Sequence, residues 1–408
     1  MEQSTYHEWL NSDFNNKEHP ESGITCQGCH MPLLNDDMGV VLSANYIFLQ
    51  PKTPFGLHHF AGANTFMLEM LKNNGDELGV SATATQFDST IARTKALLQR
   101  HSLLLEAAMR GRDEDTAFVE VKLTNIAGHK FPSGYPARRA WVELVMTDDG
   151  GDTLFHSGGW NGRYEVIGHD AQWEPHYDMV RTADQVQIYE MVMGDVNGNK
   201  TTVLERASYK LKDNRLPPSG FTAAHYSYDT AYVANVLPSD VDFNRDAGGQ
   251  EGSGTDIVHY HVPMHGSTGT VHVSARVWYQ SVPPKWMEEM FSHTSVEIDR
   301  FRTLYDAADN TPVLVCETSF MDVSTGVDGL AELGLRLFPN PVQSGPLVVL
   351  GADARVTAVT VFDLGGRRIG GIRGRVPARW SMELPVAGTY LVVVEAGGRR
   401  FTQRIVRL

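Results

Sequence analysis

Apolar and polar residues alternate with period two through the middle of the chain. Residues 118–123 (Phe, Val, Glu, Val, Lys, Leu) and 141–146 (Trp, Val, Glu, Leu, Val, Met) each read as a strand with one buried face. The second runs into Asp148, Asp149, Gly150 and Gly151 and then Thr153, Leu154 and Phe155, which predicts a hairpin. Residues 186–189 and 202–204, on either side of the turn-forming stretch 195–199, predict another. Residues 271–279 predict a further long strand, and either Trp141 or Trp278 is expected in the core. Strands at this spacing suggest a β-sandwich up to about residue 280. The period then changes: Trp286, Met290, Phe291, Ile298, Phe301 and Leu304 predict one helix near 284–308. Upstream, residues 1–113 read as mainly helical. Apolar positions recur at helical spacing over 65–71, and again over 89–110 through Ile91, Leu97, Leu98, Leu104 and Ala108, with Gly111 as the stop.

Composition divides the chain at its far end. The 408 residues are 42% hydrophobic and 21% charged, ordinary for a globular protein of two to four domains. Residues 324–334 have the small, flexible composition of a linker. Residues 335–408 carry eleven arginines, no lysine and four acids, a balance of +7 that leaves −21 on the rest of a chain whose net charge is −14. Such an acidic body argues against a nucleic-acid partner. No apolar run approaches the eighteen or so residues that span a bilayer, so no transmembrane segment is expected.

The densest chemistry lies in five residues, Cys26, Gln27, Gly28, Cys29 and His30. Two thiols separated by two residues, with an imidazole immediately after, form the attachment pattern of a c-type haem. Each thiol takes one vinyl group, and the histidine becomes the proximal ligand of the iron. A redox dithiol has no use for the histidine, and a zinc site calls for further ligands at short spacing. Cys316 is then left alone, so no disulfide framework is expected. Haem c is attached outside the cytoplasm. No basic and apolar leader precedes the motif, so the expectation is an N-terminally incomplete chain or a signal peptide already removed.

Two stretches carry resemblances to known families. Residues 6–12, 26–32, 58–64 and 125–134, with 186–190, 213–218 and 279–284, resemble extracytoplasmic multihaem c-type cytochromes. That resemblance implies haem-mediated electron transfer, with redox partner proteins or further haem domains as partners. It departs in one respect, since such relatives carry several haem motifs and this chain has one. In the tail, Pro339-Asn340-Pro341, then Asp363 with Gly365, Gly366 and Arg367, then Gly388 and Tyr390 ahead of three valines, resemble the C-terminal sorting domain of the type IX secretion system of the Bacteroidetes. That implies a small Ig-like β-sandwich, export to the cell surface and the secretion machinery as a partner.

His58 fits the histidine of the cytochromes' "H.F.G.N" pattern and is the first choice for the second iron ligand, giving His30 and His58 as the metal pair; His59 competes locally. His129, in a Gly-His-Lys-Phe-Pro turn, is an alternative ligand. Met31 adjoins His30 and cannot reach the opposite face of the same iron. His7, His101, His176 and His225 have no spacing that argues for a site. His259 and His261, with His265 nearby, read more readily as an exposed polar face than as a metal patch, and 195–199 and 240–246 are the places a calcium ion would be sought. No phosphate loop, nucleophile elbow or zinc-protease motif is present.

The expectation is therefore an α+β multidomain protein. A helical haem c segment spans 1–113, a β-rich sandwich-like domain 114–323, a linker 324–334 and the sorting domain 335–408. As to function, an exported or surface cytochrome carrying electrons leads over an oxidoreductase acting on a small nitrogen or sulfur oxyanion, and over a surface binding protein with a vestigial haem site.

Overall fold

Among the described residues strand outweighs helix, 37% against 19%. The computed structural model describes residues 3–16, 23–34, 53–113, 115–169, 172–267, 269–322, 335–351, 356–363, 366–396 and 399–408. Helices α1 (Thr5–Leu10) and α2 (Cys26–His30) open the chain, followed by the short strands β1 (Leu33–Leu34) and β2 (Phe55–Gly56). Helices α3 (Thr65–Asn73), α4 (Gly75–Leu78) and α5 (Ala84–His101) come next. A capping box starts α5, in which Thr83 accepts from the Gln86 N–H and the Gln86 side chain accepts from the Thr83 N–H.

The expected helical haem segment over 1–113 is overturned. The run read as helix to Arg110 stops at Ser102, and β3 (Leu103–Arg112) takes over. Leucine and alanine favour helix there. Backbone pairing along β4 (Thr116–Asn125), from Leu103 opposite Asn125 to Arg112 opposite Ala117, prevails over that preference. The N-terminal helices are also tied to the β body. Arg215 bonds the buried Glu8 at 2.8 Å, and the Asp13 N–H donates to the Ser219 carbonyl at 2.9 Å.

The body continues with β5 (Arg139–Asp148), β6 (Thr153–Ser157), β7 (Met179–Val180), β8 (Ile188–Gly194), β9 (Lys200–Thr201), β10 (Tyr209–Asp213), α6 (Tyr228–Ala231), β11 (Thr255–Pro263) and β12 (Val271–Gln280). Helices α7 (Pro284–Phe291) and α8 (Val296–Ala307) and strand β13 (Val313–Asp322) complete it. One sheet has the order β10-β8-β5-β12-β13, with β6 on β5 and β9 on β8; the other runs β3-β4-β11-β7. Their inner faces meet where Phe155 of β6 packs edge-on against Tyr260 of β11, and where the Tyr189 hydroxyl reaches Asp256 at 2.6 Å. Alternation along β12 is strict, with Val273, Ala275 and Val277 buried. Trp141 is fully buried and gives its indole N–H to the Gly158 carbonyl, while Trp278 is half-buried.

Two expected elements differ in detail. The single helix near 284–308 is two helices, broken after Phe291 and restarted where Ser295 caps α8 by accepting from the Ile298 N–H. The hairpin read from 186–189 and 202–204 pairs further along, Met193 opposite Thr201.

The chain divides into two compact units, Met1–Thr268 with His272–Met321, and Asp322–Leu408 with Gly269–Val271. The linker expected over 324–334 lies outside the described residues. In the second unit β14 (Arg336–Phe338), β15 (Leu347–Leu350) and β18 (Arg379–Met382) form one sheet. Strands β16 (Val356–Asp363), β17 (Arg368–Arg373), β19 (Gly388–Ala396) and β20 (Arg399–Arg407) form the other. Residues of both sheets share one core, among them Leu337, Val349, Val361, Val392 and Ile405. That is the arrangement of a small β-sandwich.

Candidate haem site

Helix α2 is the haem motif itself, so the chain enters the site already turned. At positions i and i+3 of one short helix, Cys26 and Cys29 lie on the same side. Both are free thiols, Cys26 exposed and Cys29 half-buried; burial and the adjacent Cys26 push the Cys29 thiol up from its ordinary value. His30 closes the helix, with Nδ1 2.6 Å from the Ala61 carbonyl.

Cys26, Cys29 and His30 share a cavity of about 420 Å³ with α1, the end of α5 and the loop after β4. The size is that of a cofactor pocket. Its walls are largely apolar and aromatic, including Tyr6, Trp9, Phe14, Leu97, Leu98 and Phe131. His101, Ser133 and Arg138 add polar groups. Tyr279 also lines it, and its buried hydroxyl has no hydrogen-bond partner.

His129 comes from the far side of the sequence. Asn125, the last residue of β4, accepts from the Ala127 N–H through Oδ1 and donates through Nδ2 to the carbonyls of His129 and Leu216, each at 2.8 Å. These bonds set the turn that aims His129. Gly128 keeps this turn close to its neighbours, since a Cβ would stand 3.1 Å from the Phe14 ring and 3.2 Å from Trp9 and press on both. The imidazole donates from Nδ1 to the Lys130 carbonyl at 3.0 Å, and burial lowers its pKa, favouring the neutral ring that a metal needs.

The rings of His30 and His129 have centroids 6.3 Å apart and planes 16° from parallel. Two imidazoles on opposite sides of one iron, with metal–nitrogen bonds of about 2.0 Å and ring centres about 1.1 Å behind the ligating atoms, stand about 6.2 Å apart. Both rings have Nδ1 on a backbone carbonyl, which presents Nε2 as the ligating atom. Thiols, imidazole pair, apolar walls and the orphaned Tyr279 hydroxyl therefore fit a haem.

His58 is placed elsewhere. It is exposed, rests near Phe55 and Phe60 at 6.3 and 5.7 Å between ring centres, and is not among the residues lining the cavity; nor is His59. The histidine whose ring lies beside His30 in the cavity is His129, the alternative of the sequence analysis. Sequence reasoning also passed over His101, Arg138 and Tyr279. No short-range spacing marks them, because α5, the loop before β5 and β12 converge on the cavity only in the fold.

Beneath His129 lies a fully buried charge network. Asp213 accepts from Lys130 Nζ at 3.0 Å, Lys210 Nζ at 2.9 Å and Arg215 at 2.7 and 2.9 Å. Glu8 accepts from Arg215 and, through Oε2, from the Lys130 N–H at 3.1 Å. Burial pushes Asp213 up, but Arg215, Lys130 and Lys210 outweigh it and hold the carboxyl well below the usual range. Burial also pulls the Lys130 ammonium down to about 8.

As for calcium, the Asp195 Oδ1 is engaged by the N–H groups of Asn197 and Asn199, the bonding of a plain hairpin turn.

No protein-family model matches the chain, and no curated protein is significantly similar to it. Among solved structures it is similar to a penta-heme cytochrome c552 from Thermochromatium tepidum, at 15% identity and a TM-score of 0.40, over 78% of this chain and 50% of that one. It is also similar to HBP35 of Porphyromonas gingivalis, at 10% identity and a TM-score of 0.19, over 78% of this chain and 69% of that one. The chain thus spans half the length of the penta-heme protein. Likeness at these scores is too slight to assign a fold or a function, and the functional reading stands on the cavity alone. No helix among the described residues is long and apolar enough to cross a membrane.

Proposed function

We propose that the protein is an extracytoplasmic c-type cytochrome that carries single electrons, with haem attached at Cys26 and Cys29 and ligated by His30 and His129. One observation supports the reading above all: two near-parallel imidazoles 6.3 Å apart in a cavity whose wall bears both thiols. A haem iron with imidazole on both faces changes charge by one electron without releasing a ligand, which suits a carrier rather than a catalyst that needs an open position. The chain's own part is to hold the two rings, exclude water with Trp9, Phe14, Leu97 and Leu98, and supply the thiols.

The test uses the full chain made with haem-attachment machinery. A denaturing gel stained for haem and an intact mass raised by one haem are expected, with both signals abolished in the Cys26→Ser, Cys29→Ser double variant. A mass equal to the bare polypeptide in the wild type would refute the covalent attachment.

We further propose that residues 335–408 act as an export address for a type IX secretion machinery. Two features support this reading, the tail motifs and a second unit with its own core. Removing 335–408 is expected to leave the haem spectrum unchanged while the protein accumulates in the periplasm. Delivery of the shortened protein to the surface in full yield would end that reading.

A further inference from the structure

Two stretches that sequence reading singled out separately, His259 with its neighbours and the acidic run 240–246, meet at one place on the body, and the register of the sheet explains how. On β11, His259 is opposite Glu120 of β4 on one side and beside Met179 of β7 on the other. Asp178 precedes β7, and its carbonyl accepts the His259 N–H at 2.8 Å. Asp242 enters from the preceding loop, its Oδ1 accepting the Ile257 N–H at 3.2 Å. The result is an imidazole whose Nε2 lies 3.2 Å from Asp242 Oδ2 and 3.9 Å from Asp178 Oδ1, while Nδ1 faces Glu120 Oε1 at 3.6 Å.

Three donor atoms of Asp178, Asp242 and His259 lie within 4.8 Å of one another. Ligands sharing one tetrahedral metal at about 2.0–2.1 Å stand about 3.3 Å apart, a value that the observed separations bracket. A carboxylate behind the other ring nitrogen is the usual support of a metal-bound histidine, and Glu120 stands on that side, its Oε1 3.6 Å from Nδ1 and its Oε2 paired with Arg110. The four side chains are a fifth to a third exposed, so an ion can reach them.

A second observation comes from the layer below. Asp256, 1% exposed and on the inward face of the same strand, has an Oδ1 with no hydrogen-bond partner. Burial, Asp240 and Asp242 raise its carboxyl to about 6, with His176 acting against them. The like charges of Asp240 and Asp242 thus reach this inward layer, and a cation held at Asp242 would offset them.

A neighbouring set, His176, Asp240 and Asp256, also has donor atoms at metal spacing, yet it cannot ligate through its imidazole. Gln187 Oε1 accepts the Tyr177 N–H and Asn214 Oδ1 accepts the Glu190 N–H, so both amides turn NH₂ groups toward His176 Nδ1, at 2.9 and 3.0 Å. Nδ1 therefore accepts, and Nε2 carries the proton that it donates to Asp240 at 2.6 Å. No lone pair is left for a metal.

We propose that Asp178, Asp242 and His259 bind a divalent transition-metal cation of the Zn²⁺ class, with Glu120 orienting the imidazole. One nitrogen and two carboxylates suit such an ion better than calcium, which takes six to eight oxygens.

Titration calorimetry with Zn²⁺ on the haem-loaded full chain, in which Cys26 and Cys29 are blocked, is the test. Binding of one equivalent is expected, lost in Asp242→Asn and in His259→Gln, weakened 10–100-fold in Glu120→Gln, and unchanged in His261→Gln. Excess Ca²⁺ should not displace the zinc. Should Asp242→Asn fail to fold, the His259→Gln variant, altered on an outward strand face, decides alone. The assignment is overturned by the absence of stoichiometric binding, by binding that survives His259→Gln, or by displacement with equimolar Ca²⁺.

Discussion

His129→Ala is expected to turn a six-coordinate, low-spin haem spectrum into a high-spin one that takes up added imidazole or carbon monoxide, whereas His58→Ala leaves the spectrum unchanged. The contrast follows from position. His129 lines the cavity with its ring 6.3 Å from that of His30, and His58 is exposed beside Phe55 and Phe60. Exogenous imidazole should restore the low-spin spectrum of the alanine variant, because the space left has the shape of the lost ring. A change in His58→Ala with none in His129→Ala would reverse the assignment of the second ligand. The effect is large because, among the described cavity-lining residues, His129 is the histidine whose ring lies beside that of His30.

Asp213→Ala is expected to destabilise the body by about 3–5 kcal/mol, since it leaves buried Lys130, Lys210 and Arg215 with Glu8 as the remaining carboxylate of the network. The pH dependence has a definite sign. A carboxyl held below its unfolded value of about 3.9 contributes stability that is complete above that value and is lost as pH falls through the folded one. Wild type should therefore lose urea resistance steeply below about pH 4, and Asp213→Asn should show a shallower loss over the same range. Equal slopes in the two proteins would mean that the network titrates elsewhere. A second readout ties the network to the site. Glu8 grips the Lys130 N–H, and the carbonyl of that same residue takes the His129 Nδ1–H, so Glu8→Gln should shift the haem potential without removing the haem.

What the sequence disclosed, and what it withheld, follows from the range of the interactions. Cys26, Cys29 and His30 are legible because haem attachment is local chemistry with a fixed spacing. The strands near 118, 141 and 271 are legible because one buried face imposes period two. Residues 103–110 misled, since leucines and alanines favour helix and the pairing with β4 that decides against it is invisible in the local pattern. Which histidine lies beside His30 was ambiguous for the same reason. His58 and His129 both sit near glycines, and only the cross-body bonds of Asn125 and Glu8 hold the turn that brings His129 beside His30. The charge network could not be read at all, because it joins α1 to β10 across two hundred residues of chain.

The distance along the chain between His30 and His129 bears on how the protein matures. Haem can be joined to Cys26 and Cys29 on an unfolded segment, because that chemistry uses five consecutive residues. The His129 imidazole, by contrast, is held beside His30 by long-range structure, the pairing of β4 and the Asn125 turn. Until that structure forms, His7, His19, His58 and His59 all lie nearer to His30 along the chain, and closing the roughly threefold shorter loop to His58 costs about 1 kcal/mol less chain entropy than the loop to His129. On the ligation proposed above, exchange from such early occupants to His129 is the expected last step, and the ligand set of the iron would report whether the β body has finished folding.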